Sequence, residues 1–305
     1  MNATLRDYVL LHFIIILWGF TAILGLLIRI PPVELVFFRT FLSMAGLGFI
    51  LLVKRLRFRI GNINILKLLG TGFLISGHWI LFFGSARIST ASVCLAGIAT
   101  TSFWTSILEP LSKGQKIRLL EVFFGSLMIL GLYLIFHFEV NHAAGLLLAL
   151  GSALLAASFT VINSHLTHSQ HQFIISFYEM MGAFLATALF LPVYAYTLSG
   201  DAGLQLTPSA MDWLYLGILA FVCTVYPFSI SIELMKRITA FFVNLSVNME
   251  PVYGIILAVI IFGEKEKMNG GFYIGTLIIL LSVILYPVLR RLLNRRKRKH
   301  LWIRL

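Results

Sequence analysis

Ten stretches of about twenty mostly apolar residues follow one another along this 305-residue chain. They cover 8–28, 33–53, 64–84, 89–111, 117–137, 143–163, 173–197, 211–232, 239–262 and 270–289. A helix needs about 20 such residues to cross the hydrocarbon layer of a membrane. The runs are continuously apolar rather than alternating with period two, which excludes a membrane barrel. Their connections are short, and no segment is left over for a soluble domain. Hydrophobic residues make up 59% of the chain and charged ones 12%, whereas soluble domains run roughly 45–50% apolar and about 25% charged. A water-soluble enzyme and a disordered or collagen-like chain are thereby excluded. The first stretch follows Arg6 and continues through Trp18 to Ile28, too long for the apolar core of a signal peptide.

The formal charge of +12 suggests an acidic partner until its position is considered. Eight basic residues fall in the last sixteen positions: Arg290, Arg291, Arg295, Arg296, Lys297, Arg298, Lys299 and Arg304. With the N-terminus in the cytoplasm, nineteen of the 24 Lys and Arg residues lie in inner segments. Only Arg29, Arg87, Lys265 and Lys267 lie outside, and Arg39 lies within the second span. Basic residues are retained on the cytoplasmic side, so both termini are expected there, in a cell (plasma) membrane. The tail at 290–305 is then a stop signal against anionic lipid headgroups, and no nucleic-acid partner is called for.

The chain also repeats itself. Arg87-Ile88-Ser89-Thr90-Ala91 before span four resembles Arg237-Ile238-Thr239-Ala240 before span nine. Gly125-Ser126-Leu127-Met128-Ile129 parallels Gly275-Thr276-Leu277-Ile278-Ile279, and Arg39 of span two aligns with Glu179 of span seven. Each half holds five spans, an odd number, so the second half is expected upside down relative to the first. The fold class read from the sequence is an all-α integral membrane protein of ten transmembrane helices in two inverted five-helix repeats. Repeat 1 spans 8–137 and repeat 2 spans 143–289. Such repeats place a binding site near mid-membrane, where the halves meet.

These residues resemble the EamA family of the drug/metabolite transporter superfamily. The resemblance rests on Leu17-Trp18-Gly19 in span one, Pro31-Pro32 with Phe37-Phe38-Arg39 opening span two, and the paired Ala91 and Ala240. Glu250-Pro251 within span nine and Phe262-Gly263-Glu264 closing it add to the pattern. The resemblance implies ten helices, cytoplasmic termini and a central cavity lined by spans 1, 3, 4, 6, 8 and 9. It also implies secondary transport, with export of amino acids, small metabolites or toxic organic compounds; nothing fixes the direction, and uptake stays open. One departure is plain: span four has Thr101-Ser102 where the second repeat has Glu250-Pro251, and carries Glu109-Pro110 two turns further on.

Ionisable groups at membrane depth are functional candidates because burial there is costly. Glu250 lies mid-span, and burial favours its neutral form, which makes it a proton-coupling candidate. Ser246, Glu250 and Tyr253 share one helical face, while Asn244, Asn248 and Pro251 form another. Pro251 also leaves the carbonyl of Val247 without its usual donor. His78, Trp18 and Trp104 are further candidates for solute or proton contact. Arg39 and Glu179 lie in opposite thirds of the membrane, which argues against a direct salt bridge and for separate gating or structural roles. In span six a stripe of Gly145, Ala149, Ser152, Ala156, Thr160 and Asn163 reads as close packing or a cavity wall.

Cys94 and Cys223 lie in apolar runs and make neither a disulfide framework nor a metal site. His165, His168 and His171 could hold a metal as part of a membrane enzyme, but no further ligand cluster accompanies them and their polar neighbours read as an exposed loop. There is no phosphate-cradling glycine loop, no nucleophile–base arrangement and no ATP-hydrolysing segment. The sequence thus calls for a small-molecule substrate and no catalytic residue, cofactor or metal.

Overall fold

A computed structural model describes residues 3–56, 58, 60–138, 142–168, 170–200, 203–263 and 270–302. Among these residues there is no strand. Helix runs through all ten apolar stretches: α1 (Leu5–Leu27), α2 (Pro32–Val53), α3 (Asn62–Ile88), α4 (Ala91–Ile98) with α5 (Thr101–Ser112), α6 (Leu119–Phe138), α7 (Ala143–Leu166) and α8 (Gln172–Thr197). There follow α9 (Ala210–Gly217), a π-helical turn (Ile218–Val225) and α10 (Tyr226–Leu234), then α11 (Ala240–Val247), α12 (Glu250–Phe262) and α13 (Gly270–Trp302). Seven helical segments among the described residues are long and apolar enough to cross a membrane. They are Leu5–Leu27, Pro32–Val53, Asn64–Ile88, Ala91–Ser112, Ala143–Leu166, Gln172–Thr197 and Ala210–Leu234.

Exposure is inverted relative to a soluble protein. Phe49 and Leu189 are 67% and 69% exposed, while Glu34, Ser43 and Glu179 are wholly buried. The outward side chains are those that lipid solvates well, and buried polar groups such as Ser43 and Glu179 bond to neighbouring helices, at Ala220 O and Asn163 Nδ2.

Local sequence sets the helix ends. Thr4 and Asp7 form a reciprocal capping box that starts α1, and Ser209 with Asp212 does the same for α9. Pro32 sits in the first turn of α2, where its missing N–H is not needed. Thr90 caps α4 by accepting from Val93 N at 3.1 Å, and Thr239 caps α11 by accepting from Phe242 N at 3.3 Å. Thr239→Val should therefore destabilise the protein by about 1 kcal/mol, a drop of a few degrees in Tm with little effect on overall helix content by circular dichroism.

Residues 290–302 of the basic tail continue α13 as helix. No Gly or Pro follows Pro287, and Leu, Arg and Lys are good helix formers.

Close helix approach depends on glycine where α3 crosses α8. The position of a Cβ on Gly72 is occupied by the backbone of Glu179, Gly182 and Ala183, and that of a Cβ on Gly182 by the backbone of Leu69. The small stripe of α7 divides in two. Gly145 packs on Ser89 and Ala149 on Gly97, whereas Ala156, Thr160 and Asn163 line an internal cavity.

Two sets of polar contacts mark the opposite ends of the molecule. At one end Asp7 of α1 accepts from Arg237 Nε at 3.1 Å and Nη2 at 2.9 Å, and the same carboxylate holds the Arg237 guanidinium above its ordinary pKa. At the other, Arg87 donates to the carbonyls of Gly25, Ile28 and Ile30 around the last turn of α1. Asp212 there accepts from Arg29 N at 2.7 Å, and Glu34 accepts from Gln205 N at 3.1 Å. Arg87 and Arg237, matched in sequence, thus hold opposite ends of one helix.

Candidate functional site

The cavity lies where α4–α5 and α11–α12 break. Each of these two pairs starts with an eight-residue half-helix behind a threonine cap. Each is interrupted by two residues, Ala99-Thr100 in one and Asn248-Met249 in the other. The second halves then begin at Thr101 and Glu250. Both residues line the cavity, and neither helix start carries a capping side chain. Pro251 falls in the first turn of α12, where proline is tolerated. Side chains stitch the two broken pairs together. Asn244 Nδ2 donates to Thr105 Oγ1 at 2.8 Å and Asn248 Nδ2 to Ser102 Oγ at 3.0 Å. Glu109 Oε2 accepts from Phe241 N at 2.6 Å, satisfying a donor at the start of α11.

The cavity holds about 840 Å³ of space between atoms, its opening included. Its wall is largely apolar and aromatic, with Trp18, Trp79, Phe82, Phe159 and Phe228. Polar groups are few: Arg39, His78, Thr101, Asn163, Thr224, Asn244 and Glu250 among them. The lining reaches toward the Asp7–Arg237 end, where it includes Met235 and Val243; no residue of the Arg87 cluster takes part.

Arg39 is 2% exposed. Its Nε donates to Thr224 Oγ1 at 2.9 Å, and the guanidinium stacks 3.8 Å from the centroid of the Trp79 ring. Thr224 sits in the π-helical turn and donates in turn to Leu219 O, five residues back, at 2.7 Å. Pro227, two residues beyond that turn, lacks the N–H that an unbroken α-helix would direct to Cys223. The wide turn thereby sets the rotation that brings Cys223, Thr224 and Phe228 to the cavity. His78 is tied to α7: Ser152 Oγ lies 2.7 Å from His78 Nδ1 and donates to the His78 carbonyl at 2.8 Å. Among the described residues no hydrogen bond reaches the Glu250 carboxyl, although the residue is only 6% exposed.

Of the residues singled out in the sequence, Glu250, Asn244, His78, Trp18 and Arg39 come together in this cavity. Asn248 is directed to Ser102, Ser246 bonds back to Phe242 O at 2.9 Å, and Tyr253 packs beside Gly19. Val243, Val247 and Glu250 line the cavity from one side of α11–α12, and Ser246 and Tyr253 lie to the flank of that face. Trp104 lies outside the lining, edge-on to Phe103 at 5.3 Å. Glu179 is also outside it and accepts from Asn163 Nδ2 at 3.3 Å, and among the described residues it forms no salt bridge with Arg39. Thr224, Phe228 and Trp79 went unnoticed in the sequence because no isolated ionisable group or repeat motif marks them.

The three histidines diverge. His165 Nε2 meets Ser112 Oγ at 3.0 Å, and His171 caps α8 by accepting from Phe173 N at 3.3 Å. Burial, helped by nearby Lys236, lowers the His171 pKa and keeps it the neutral acceptor that this cap requires. Among the described residues no three His, Cys, Asp or Glu side chains converge as a metal site.

A solved crystal structure superposes on this fold with a TM-score of 0.68, at 15% identity, covering 93% of this chain and 98% of the other. At that identity the likeness concerns the fold alone. No curated protein sequence matches the chain. The model of the EamA-like transporter family matches twice, over residues 7–137 and 143–286, which between them take in both broken helices and every residue of the cavity. The chain therefore belongs to the EamA-like transporter family of the drug/metabolite transporter superfamily, a family of multi-pass membrane transporters.

Proposed function

We propose that the protein is a secondary active exporter of small organic solutes (amino acids, related metabolites or toxic compounds) in the cell membrane, coupled to protons through Glu250. The observation that carries this reading is the Glu250 carboxyl, at the cavity, on the first residue of a half-helix and without a hydrogen bond among the described residues. A buried carboxylate so placed is stabilised by taking either a proton or a ligand donor. Alternation between the two lets an inward proton drive an outward solute.

Alternating access follows from two inverted five-helix repeats with ten membrane crossings and cytoplasmic termini. Supporting this are the paired half-helices of equal length and the twofold family match. Further support comes from the sequence-matched Arg87 and Arg237 at opposite ends of α1. The cavity extends toward the Asp7–Arg237 end while the Arg87 end is tied shut, an arrangement that suits a cytoplasm-facing state.

Metabolite profiling of cells overexpressing the protein, against cells overexpressing Glu250→Gln, should reveal solutes depleted only by the wild type. Their flux in proteoliposomes under a pH gradient should fall to the protein-free level in Glu250→Gln. Undiminished gradient-driven flux in that variant would overturn the coupling role.

A further inference from the structure

We infer that Arg39 is the anchor for a carboxylate on the transported solute, so that the cavity selects organic acids over their neutral analogues. The inference rests on the transport reading of the same cavity and adds to it the chemistry of the ligand.

A guanidinium carries five N–H donors in a rigid planar fork. In Arg39 only Nε has a protein acceptor, Thr224 Oγ1. Among the described residues no carboxylate lies within ion-pair distance of it, and the Nη groups have no acceptor. The residue is nonetheless 98% buried, at the cavity wall. Glu250 lies on the same cavity but makes no ion pair with Arg39, and a buried cation without a directly paired anion is unfavourable, so the open donors have a use for an anion there.

The surroundings fix the shape of that anion. The Trp79 ring lies under the guanidinium at 3.8 Å and Phe83 flanks it at 5.5 Å. Together with the Nε bond they hold the plane, and the two Nη nitrogens, without a protein acceptor among the described residues, remain available to a ligand in the cavity. That edge matches the two oxygens of a carboxylate in a bidentate pair. The uncapped starts of α5 and α12 at Thr101 and Glu250 carry partial positive charge facing the same space. With Glu250 protonated the cavity carries one fixed positive charge, which favours a carboxylate over a doubly charged phosphate. The aromatic remainder of the wall suits an apolar or ring-bearing body on the acid.

Fragments test this without knowledge of the natural solute. The purified full-length protein in detergent is titrated with acetate, benzoate and phenylacetate, and with acetamide, benzamide and phenylacetamide. Methylphosphonate and phenylphosphonate form a third arm, and Tm and the fluorescence of the cavity tryptophans are read. Ring-bearing carboxylates should bind the wild type at least about tenfold more tightly than their amides and more tightly than the phosphonates. Arg39→Gln should abolish the difference. Arg39→Lys, which keeps the charge but not the fork, should lose about tenfold and shows that the site itself persists if the glutamine variant fails to fold. Equal binding of acids and amides, no binding of any acid, preference for phosphonates, or unchanged selectivity in the folded lysine variant would each overturn the proposal. Binding is read here without a gradient, so loss of coupling in Glu250→Gln and loss of acid selectivity at Arg39 are separate outcomes.

Discussion

Gly182→Val should lower the Tm of the detergent-purified protein by roughly 10 °C or prevent a monodisperse preparation altogether. The cause is backbone against backbone: a Cβ at Gly182 falls on the main chain of Leu69, and one at Gly72 on the main chain of Glu179, Gly182 and Ala183. No rotamer change relieves such a clash, so α3 and α8 must move apart. Overpacking of this kind costs about 3 kcal/mol or more, and in a chain of this size each kcal/mol moves Tm by roughly 2–4 °C. Gly70, two residues from Gly72 on the same helix, has nothing within 4 Å of its would-be Cβ. Gly70→Val is therefore the control and should leave Tm nearly unchanged. Equal losses at 70 and 182 would show that helix propensity, not helix contact, explains the effect.

Arg87→Met should open the end of the molecule that the arginine ties shut. The guanidinium bridges the carbonyls of Gly25, in the last turn of α1, and of Ile28 and Ile30 just beyond it, which have no helical donors of their own. Charge-assisted bonds contribute about 1.5–3 kcal/mol each. Water reaches part of this group, so a net change of about 2 kcal/mol is expected, a shift of roughly thirtyfold in the balance between closed and open states. Cys223 lines the cavity and serves as a native reporter. In a Cys94→Ser background, an impermeant maleimide applied from the Arg87 side, extracellular in the proposed topology, should label Cys223 about thirtyfold faster in Arg87→Met. An unchanged rate would show that this cluster does not gate the cavity.

Among the described residues helix runs through each stretch that hydropathy marked, because a segment that must satisfy its backbone inside lipid has few alternatives to helix. Membrane-depth charge was as readable: Glu250, His78 and Arg39 stood out as ionisable groups in apolar runs, and all three line the cavity. Helix rotation was less readable. The interruption at Ala99-Thr100 contains no proline or glycine, and the π-helical turn at Ile218–Val225 is an unbroken apolar run. Ser246 and Tyr253 flank Glu250 on one side of the helix while the cavity lies on the other, with Val243 and Val247, and only tertiary packing decides between the two. Trp104 was chosen by its depth in the span, which does not say whether the ring faces the cavity. Partners were the least visible, since the bond from Arg39 to Thr224 joins positions 185 residues apart.

The two ties on α1 differ in how mutation can reach them. At the Asp7 end the bond is between side chains, so a change at either Asp7 or Arg237 can weaken it and a compensating change at the other can restore it. At the opposite end Arg87 grips main-chain carbonyls, which no substitution in α1 removes. The balance between the two faces can therefore drift through many sequences at one end while the other hangs on a single codon, an asymmetry that lets descendants of this protein retune their resting state without losing the ability to close.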